Sequence, residues 1–153
     1  MYSASKEIGV VSKWKYDLFR FKSAQRNFFD KALNELKSWV KQSSWIWYIF
    51  PQIAWLWQSE MSQRYSISCM DEAIEYYNDE ELRNNLETIC KALLDIDKDD
   101  PEFILWNIDA MKVKSCMTLF HKVDPKNQIF IDVLNKYYHW ELDEKTLEIL
   151  DRW

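Results

Sequence analysis

The sequence predicts an all-α fold, a single compact multihelical domain of about six or seven helices. Three observations carry that expectation. Apolar residues recur at three- and four-residue spacing in four long segments. Two Asp-Pro pairs, Asp100-Pro101 and Asp124-Pro125, each put a capping carboxylate before a proline suited to a first helical turn. No alternating strand pattern of convincing length and no internal repeat is present. At 153 residues the chain is one domain's worth, and folding at this size hides roughly 68–70% of the unfolded surface. A hydrophobic share of 48% supports such a core.

The elements follow in order. Residues 1–16 form an N-terminal extension, open to disorder, ahead of a helical domain over 17–150. Residues 23–38 line up Phe28, Phe29, Ala32, Leu33 and Leu36, with Ser23 placed to cap the start. Trp45 to Phe50 forms a short helix that Pro51 ends. Residues 52–67 lack a period and predict a long ordered loop. Ser68 followed by Asp71 resembles a capping box and opens a helix through Tyr77. Glu80 to Leu94 shows one apolar face of Leu82, Leu86, Ile89 and Leu93. Residues 107–121 place Ala110, Val113, Met117 and Phe120 together, and 125–138 place Ile129, Val133, Leu134 and Tyr137 together. Asp143 caps a last helix through Leu150. The expected core includes Phe28, Leu33, Leu36, Phe50, Leu86, Leu93, Val113, Met117, Phe120 and Val133.

Composition removes several function classes. No stretch reaches the roughly 20 apolar residues of a membrane-spanning helix, and the start of the chain lacks the apolar run of a signal peptide. A cytoplasmic protein is the expectation, with no membrane partner. Residues 1–41 carry a net charge of +5 and the remainder −10, giving the overall −5. A pI near 5.1 makes duplex nucleic acid a poor partner, and the basic N-terminal part is read as a solvated helix face. Cys69, Cys90 and Cys116 are odd in number, far apart and without metal-ligand spacing, so reduced thiols and no metal are expected. No cofactor is expected either. There is no GxSxG elbow, phosphate-binding glycine loop, HExxH or paired CxxC.

The segment 43–59, SSWIWYIFPQIAWLWQS, is the most distinctive part of the chain. It holds six aromatic residues, four of them tryptophan, and no charge. Its opening SSWIWYIFPQ is followed by Ser59, SQRYSI (62–67), DAMKVKSCMTLF (109–120) and LDEKTLEIL (142–150). These strings, in this order from about Asp17 to Leu150, resemble the bacterial family catalogued as domain of unknown function 1810, sometimes mislabelled calpastatin-like. The resemblance implies a compact multihelical fold and no established activity.

The chain departs from that family pattern twice. Ser43-Ser44-Trp45 stands where the family reads Ser-His-Trp, so a general base at that histidine is missing. Trp39, Trp55, Trp57, Trp106 and Trp140 stand where the family has glycine. Physical chemistry objects independently. Trp39 and Trp140 each follow a predicted helix end, where a left-handed backbone favours glycine. Ordinary usage predicts about ten glycines in a chain of this length, yet only Gly9 is present beside nine tryptophans. Two readings follow. In one, the source organism decodes UGA as glycine and these five residues are tryptophan only in translation. In the other, five real tryptophans form an aromatic patch. Trp45 and Trp47 match family tryptophans and are genuine, and Trp14 and Trp153 carry no assignment.

The remaining chemistry lies on two segments. Asp109, Lys112 and Cys116 share a helix face, flanked by Ser115, and the ordinary reading is a surface ion pair. The functional reading gives Lys112 a charge, and Ser115 and Thr118 hydroxyls, for an anionic or phosphorylated ligand. Gln52, Ser59 and Tyr65 lie in the long loop, where polar residues on a rigid scaffold are ordinary site material. One of Trp45 and Trp47 is core and the other free to stack a planar group. With glycine at 55 and 57, WLW becomes a short glycine loop able to approach a phosphate. The candidate ligand-binding set is Trp45, Gln52, Ser59, Tyr65, Asp109, Lys112, Ser115 and Thr118, with the loop packed on the N-terminal half of helix 107–121. Two functions fit. One is a non-catalytic module that binds a small polar or nucleotide-like ligand or a partner protein. The other is a small hydrolase acting on a nucleotide or ADP-ribose-type linkage, with Asp109 in a cleft.

Overall fold

In a computed structural model, residues 15–153 are described. The N-terminal extension expected over 1–16 therefore lies almost wholly outside the described residues, as does Trp14. The helices are α1 (Phe19–Lys37), α2 (Ile46–Ile49), α3 (Glu60–Arg64), α4 (Met70–Asn78), α5 (Glu80–Asp95), α6 (Pro101–Ile104), α7 (Asn107–Val123), α8 (Gln128–Tyr138) and α9 (Glu144–Asp151). The all-helical expectation holds among the described residues, but the helices there number nine rather than six or seven. The surplus is short pieces. α2, α3 and α6 span one turn or little more, too short to show a period in sequence. The only extended pairing found there is an isolated parallel bridge, Ile53 with Ile67.

Helix α7 organises the molecule. It packs on α4, α6, α8 and α9, and α5 joins α1, α4 and α8 behind it. Ala110, Val113, Cys116, Met117, Leu119 and Phe120 are all buried along it. The Phe120 ring meets those of Tyr76, Tyr77 and Phe130 at 5.4–6.4 Å. Such aromatic contacts add to the area each ring removes from water.

Several local starts differ from expectation. α1 begins at Phe19 rather than at Ser23, because tertiary contacts fix its first turn. Phe21 is fully buried, and the Arg20 guanidinium donates to Arg64 O, Ser66 O and Glu72. The expected long loop at 52–67 contains α3, with Ser59 as its cap. In the next helix the carboxylate that reaches back to Ser68 is Glu72, not Asp71. Asp100 does cap α6, ahead of Pro101. Asp124 does not start α8. It accepts the Tyr77 hydroxyl at 2.6 Å, and Asn127 caps the helix instead. Eight of the ten expected core residues are buried, while Phe28 is 45% exposed and Leu33 half-buried. The α1 position facing the core near Phe28 belongs to Gln25. Its amide group donates to Tyr48 O and the Tyr76 hydroxyl, and its carbonyl accepts from Asn85.

Among the described residues, four other than glycine have a left-handed backbone: Trp39 (φ 66°), Trp55 (φ 75°), His139 (φ 53°) and Trp140 (φ 66°). Among the described residues, no helix is long and apolar enough to cross a membrane.

Candidate functional site

Pro51 ends α2 and turns the chain toward α7. Gln52 then pins the loop. Its amide nitrogen donates to Phe50 O at 2.9 Å and to Lys112 O at 2.8 Å, and its carbonyl accepts the Trp57 indole N–H at 2.9 Å. A buried amide with both N–H donors and its carbonyl bonded fixes the loop's register against the helix.

Asp109 sits in the first turn of α7, where the helix dipole favours a carboxylate. It is 3% exposed and meets two ammonium groups. Lys112 Nζ lies 3.1 Å from Oδ1, and Lys41 Nζ lies 2.7 Å from Oδ2. Oδ2 is buried and, among the described residues, has the Lys41 ion pair but no aligned hydrogen bond. Lys41 also donates to Ser43 O. The Lys112 ammonium stands 3.8 Å from the centre of the Trp47 ring and the Lys41 ammonium 3.7 Å from that of Trp106. Each is a cation held over an aromatic face. Two cations thus share one carboxylate in a largely water-excluded place.

Beside this trio lies a cavity of about 450 Å³, lined among others by Ser44, Trp47, Trp106, Asn107, Asp109 and Lys112. A second cavity of about 540 Å³ runs along the loop between Ile53 and Ser68, and the described residues of its wall carry no charge. Trp57 lines the second cavity, and its ring lies within 5.3 Å of Lys112 Nζ and edge-on to Trp47.

The structure therefore gathers Gln52, Asp109 and Lys112 into one place and takes the other candidates elsewhere. The Asp109–Lys112 pair is buried rather than a surface pair. Trp45 is 1% exposed, so it belongs to the core and not to a stacking surface; Trp47 faces the cavity. Ser59 caps α3 by accepting from Ser62 N. Tyr65 packs on Tyr48 and Phe21. Ser115 and Thr118 turn their hydroxyls toward α9. Ser115 bonds Thr146 at 2.6 Å, and Thr118 donates to Lys114 O while accepting from Asp143 N.

Sequence reasoning missed Lys41 and Glu35. Lys41 belongs to the basic N-terminal part that reads as a solvated helix face, and nothing beside it in sequence marks burial. Glu35 is spaced from Ser43 and Trp45 by a helix end and a turn. There it accepts from Gln42 N, from the Ser43 backbone and hydroxyl, and from the Trp45 indole. Burial raises its proton affinity, but these donors outweigh that and pull its pKa down to about 2. No group of three or more residues suited to holding a metal occurs among the described residues. Cys90 and Cys116 are buried thiols with raised pKa values, and desolvation is the main cause.

The chain is similar to one solved structure in particular, titled as the conserved hypothetical protein Rv1873 from Mycobacterium tuberculosis. The two are 32% identical, with a TM-score of 0.86, over 89% of this chain and 97% of that one. No curated protein matches the chain. The family model described as "Protein of unknown function (DUF1810)" matches residues 15–150. With nearly the whole chain matched, this protein belongs to that DUF1810 family.

Proposed function

We propose that this protein binds a small anionic ligand of nucleotide type in the cavity beside Trp47, Asp109 and Lys112, as a non-catalytic module. The observation that carries the reading is the buried trio. Among the described residues Lys41 and Lys112 share the single carboxylate of Asp109, which leaves one positive charge of the trio uncompensated there, and Lys112 carries it to the cavity wall. Buried charge without a counter-ion is costly, and an anionic group in the cavity would relieve it through charge-assisted hydrogen bonds. Trp47 offers an aromatic wall for a planar group at the same place.

The test is a thermal-shift comparison of AMP, ADP-ribose, adenosine and inorganic phosphate. A ligand at 100 times its Kd stabilises the native state by about 2.7 kcal/mol, several degrees in a chain of this size. AMP and ADP-ribose are expected to raise the Tm, adenosine to do so weakly, and Lys112→Met to abolish the response. Absence of any shift with all four at millimolar concentration rules the reading out.

One observation favours a second reading, a hydrolase acting on a nucleotide or ADP-ribose-type linkage. Asp109 is a carboxylate in the cleft wall, the kind of group a general acid–base step needs. Chromatography of ADP-ribose after incubation separates the two. Cleavage that Asp109→Asn abolishes supports the hydrolase, and intact ADP-ribose with a raised Tm supports the binding module.

A further inference from the structure

Three tryptophans occupy backbone that suits glycine. A left-handed φ brings Cβ against the following carbonyl, and glycine alone enters the region freely. For a bulky aromatic residue it is an outlier. At Trp39 the hydrogen bonding of α1 demands it. Val40 N donates to Glu35 O at 3.1 Å and Trp39 N to Leu36 O at 2.9 Å. That pair of bonds closes a helix through one left-handed residue, which is usually glycine. At Trp140 two left-handed residues follow one another, His139 then Trp140, and Trp140 N reaches back to Leu134 O. Trp55 has the largest positive φ of the four.

Trp39 packs in part against the core, but the other two side chains offer little in return. Trp55 is 82% exposed and Trp140 55%. Backbone strain persists where surroundings over-determine it, and an indole standing in water does not. Trp106 is anomalous differently. It is the N-cap of α7 and makes no capping hydrogen bond, at a place where Ser, Thr, Asp, Asn or glycine is favoured. Its ring is 48% exposed. Trp45 shows the contrast. Its φ is −120°, its ring is buried, and its indole N–H donates to Glu35.

Composition agrees. The chain has nine tryptophans and one glycine, against about ten glycines at ordinary usage. A single event produces both departures. UGG encodes tryptophan and UGA differs from it only in the third base, so reading a glycine UGA as tryptophan removes glycines and adds tryptophans one for one. We infer that residues 39, 55, 106 and 140 are glycine in the protein as its own cells make it, encoded by UGA; Trp57, the fifth position of the family comparison, has no left-handed backbone and its indole donates to Gln52, so it is not assigned.

The inference stands independently of the proposed ligand, yet it alters the site. The Trp106 indole lines the 450 Å³ cavity and covers the Lys41 ammonium at 3.7 Å. Glycine there widens the mouth and uncovers that charge.

The gene and the native protein test this directly. UGA is expected at codons 39, 55, 106 and 140, with UGG at 45 and 47. Peptide masses from protein isolated from the source cells should fit glycine at the four positions. In recombinant protein, Trp39→Gly, Trp55→Gly and Trp140→Gly should each raise the Tm, on the order of 2–4 °C, while Trp45→Gly lowers it. UGG at codons 39, 55 and 140, tryptophan in the native peptides, or a lowered Tm for all three glycine variants would overturn the inference.

Discussion

Trp45 and Trp47 lie two residues apart and have opposite fates, which shows how much a single side chain's partner decides. Trp45 turns inward because Glu35, at the far end of α1, accepts its indole N–H at 2.9 Å. Trp47 turns to the cavity, under the Lys112 ammonium. The Glu35 cluster has a pH signature. Its folded pKa, about 2, lies below the ordinary glutamate value near 4.3. A depressed folded pKa contributes stability that is present above the unfolded value and lost as pH falls through the folded one. The window is therefore about pH 4.5 down to 2, and the contribution is on the order of 3 kcal/mol. Urea unfolding at pH 6, 4 and 3 should show the wild type losing stability faster than Glu35→Gln. Parallel losses would mean that Glu35 is not held as a carboxylate by Ser43, Gln42 and Trp45.

Among the elements, α7 is where fold and site meet. One part of its surface carries Val113, Met117 and Phe120 into the core, and its first two turns carry Asp109 and Lys112 to the cavity. Phe120 is fully buried amid Tyr76, Tyr77 and Phe130. Truncating it to alanine leaves a cavity among three rings and is expected to cost about 3–5 kcal/mol. Denaturant unfolding measures this, and a loss below about 1 kcal/mol would put Phe120 outside the core. The same helix shows what sequence can say of element ends. Asp100-Pro101 and Asp124-Pro125 are equivalent as strings, but only Asp100 is an N-cap, whereas Asp124 is the C-cap residue of α7. Asp124 is taken by the Tyr77 hydroxyl from α4, a partner 47 residues away that no local pattern reports. Long amphipathic helices were legible because their period is local. One-turn helices and their caps were not, because tertiary contacts hold them.

Across the whole molecule, legibility divides along the same line. The helical class and eight of ten core positions followed from spacing alone, since burial of an apolar stripe is the general solution for a helix of this length. The site was legible only in part. Gln52, Asp109 and Lys112 belong to the two segments that stood out in sequence. Lys41 comes from a third segment, and its meeting with Asp109 depends on how α1 and α6 dock, through Lys41 N donating to Ile104 O. Such a buried charge cluster ties segments from opposite parts of the chain to one another. The apolar core does so too, running without a break from Phe21 in α1 to Ile149 in α9. A single contiguous core with no separable satellite should lose structure all at once. Far-UV circular dichroism reports the helices, and tryptophan fluorescence reports on nine indoles, four of which, Trp45, Trp47, Trp57 and Trp106, lie beside the charge cluster. The two are expected to give coincident urea transitions with one midpoint. If fluorescence changes first, the segment from Lys41 to Trp57 opens before the helices melt, and the buried trio is then a locally unstable lid on the core and not part of its cooperative unit.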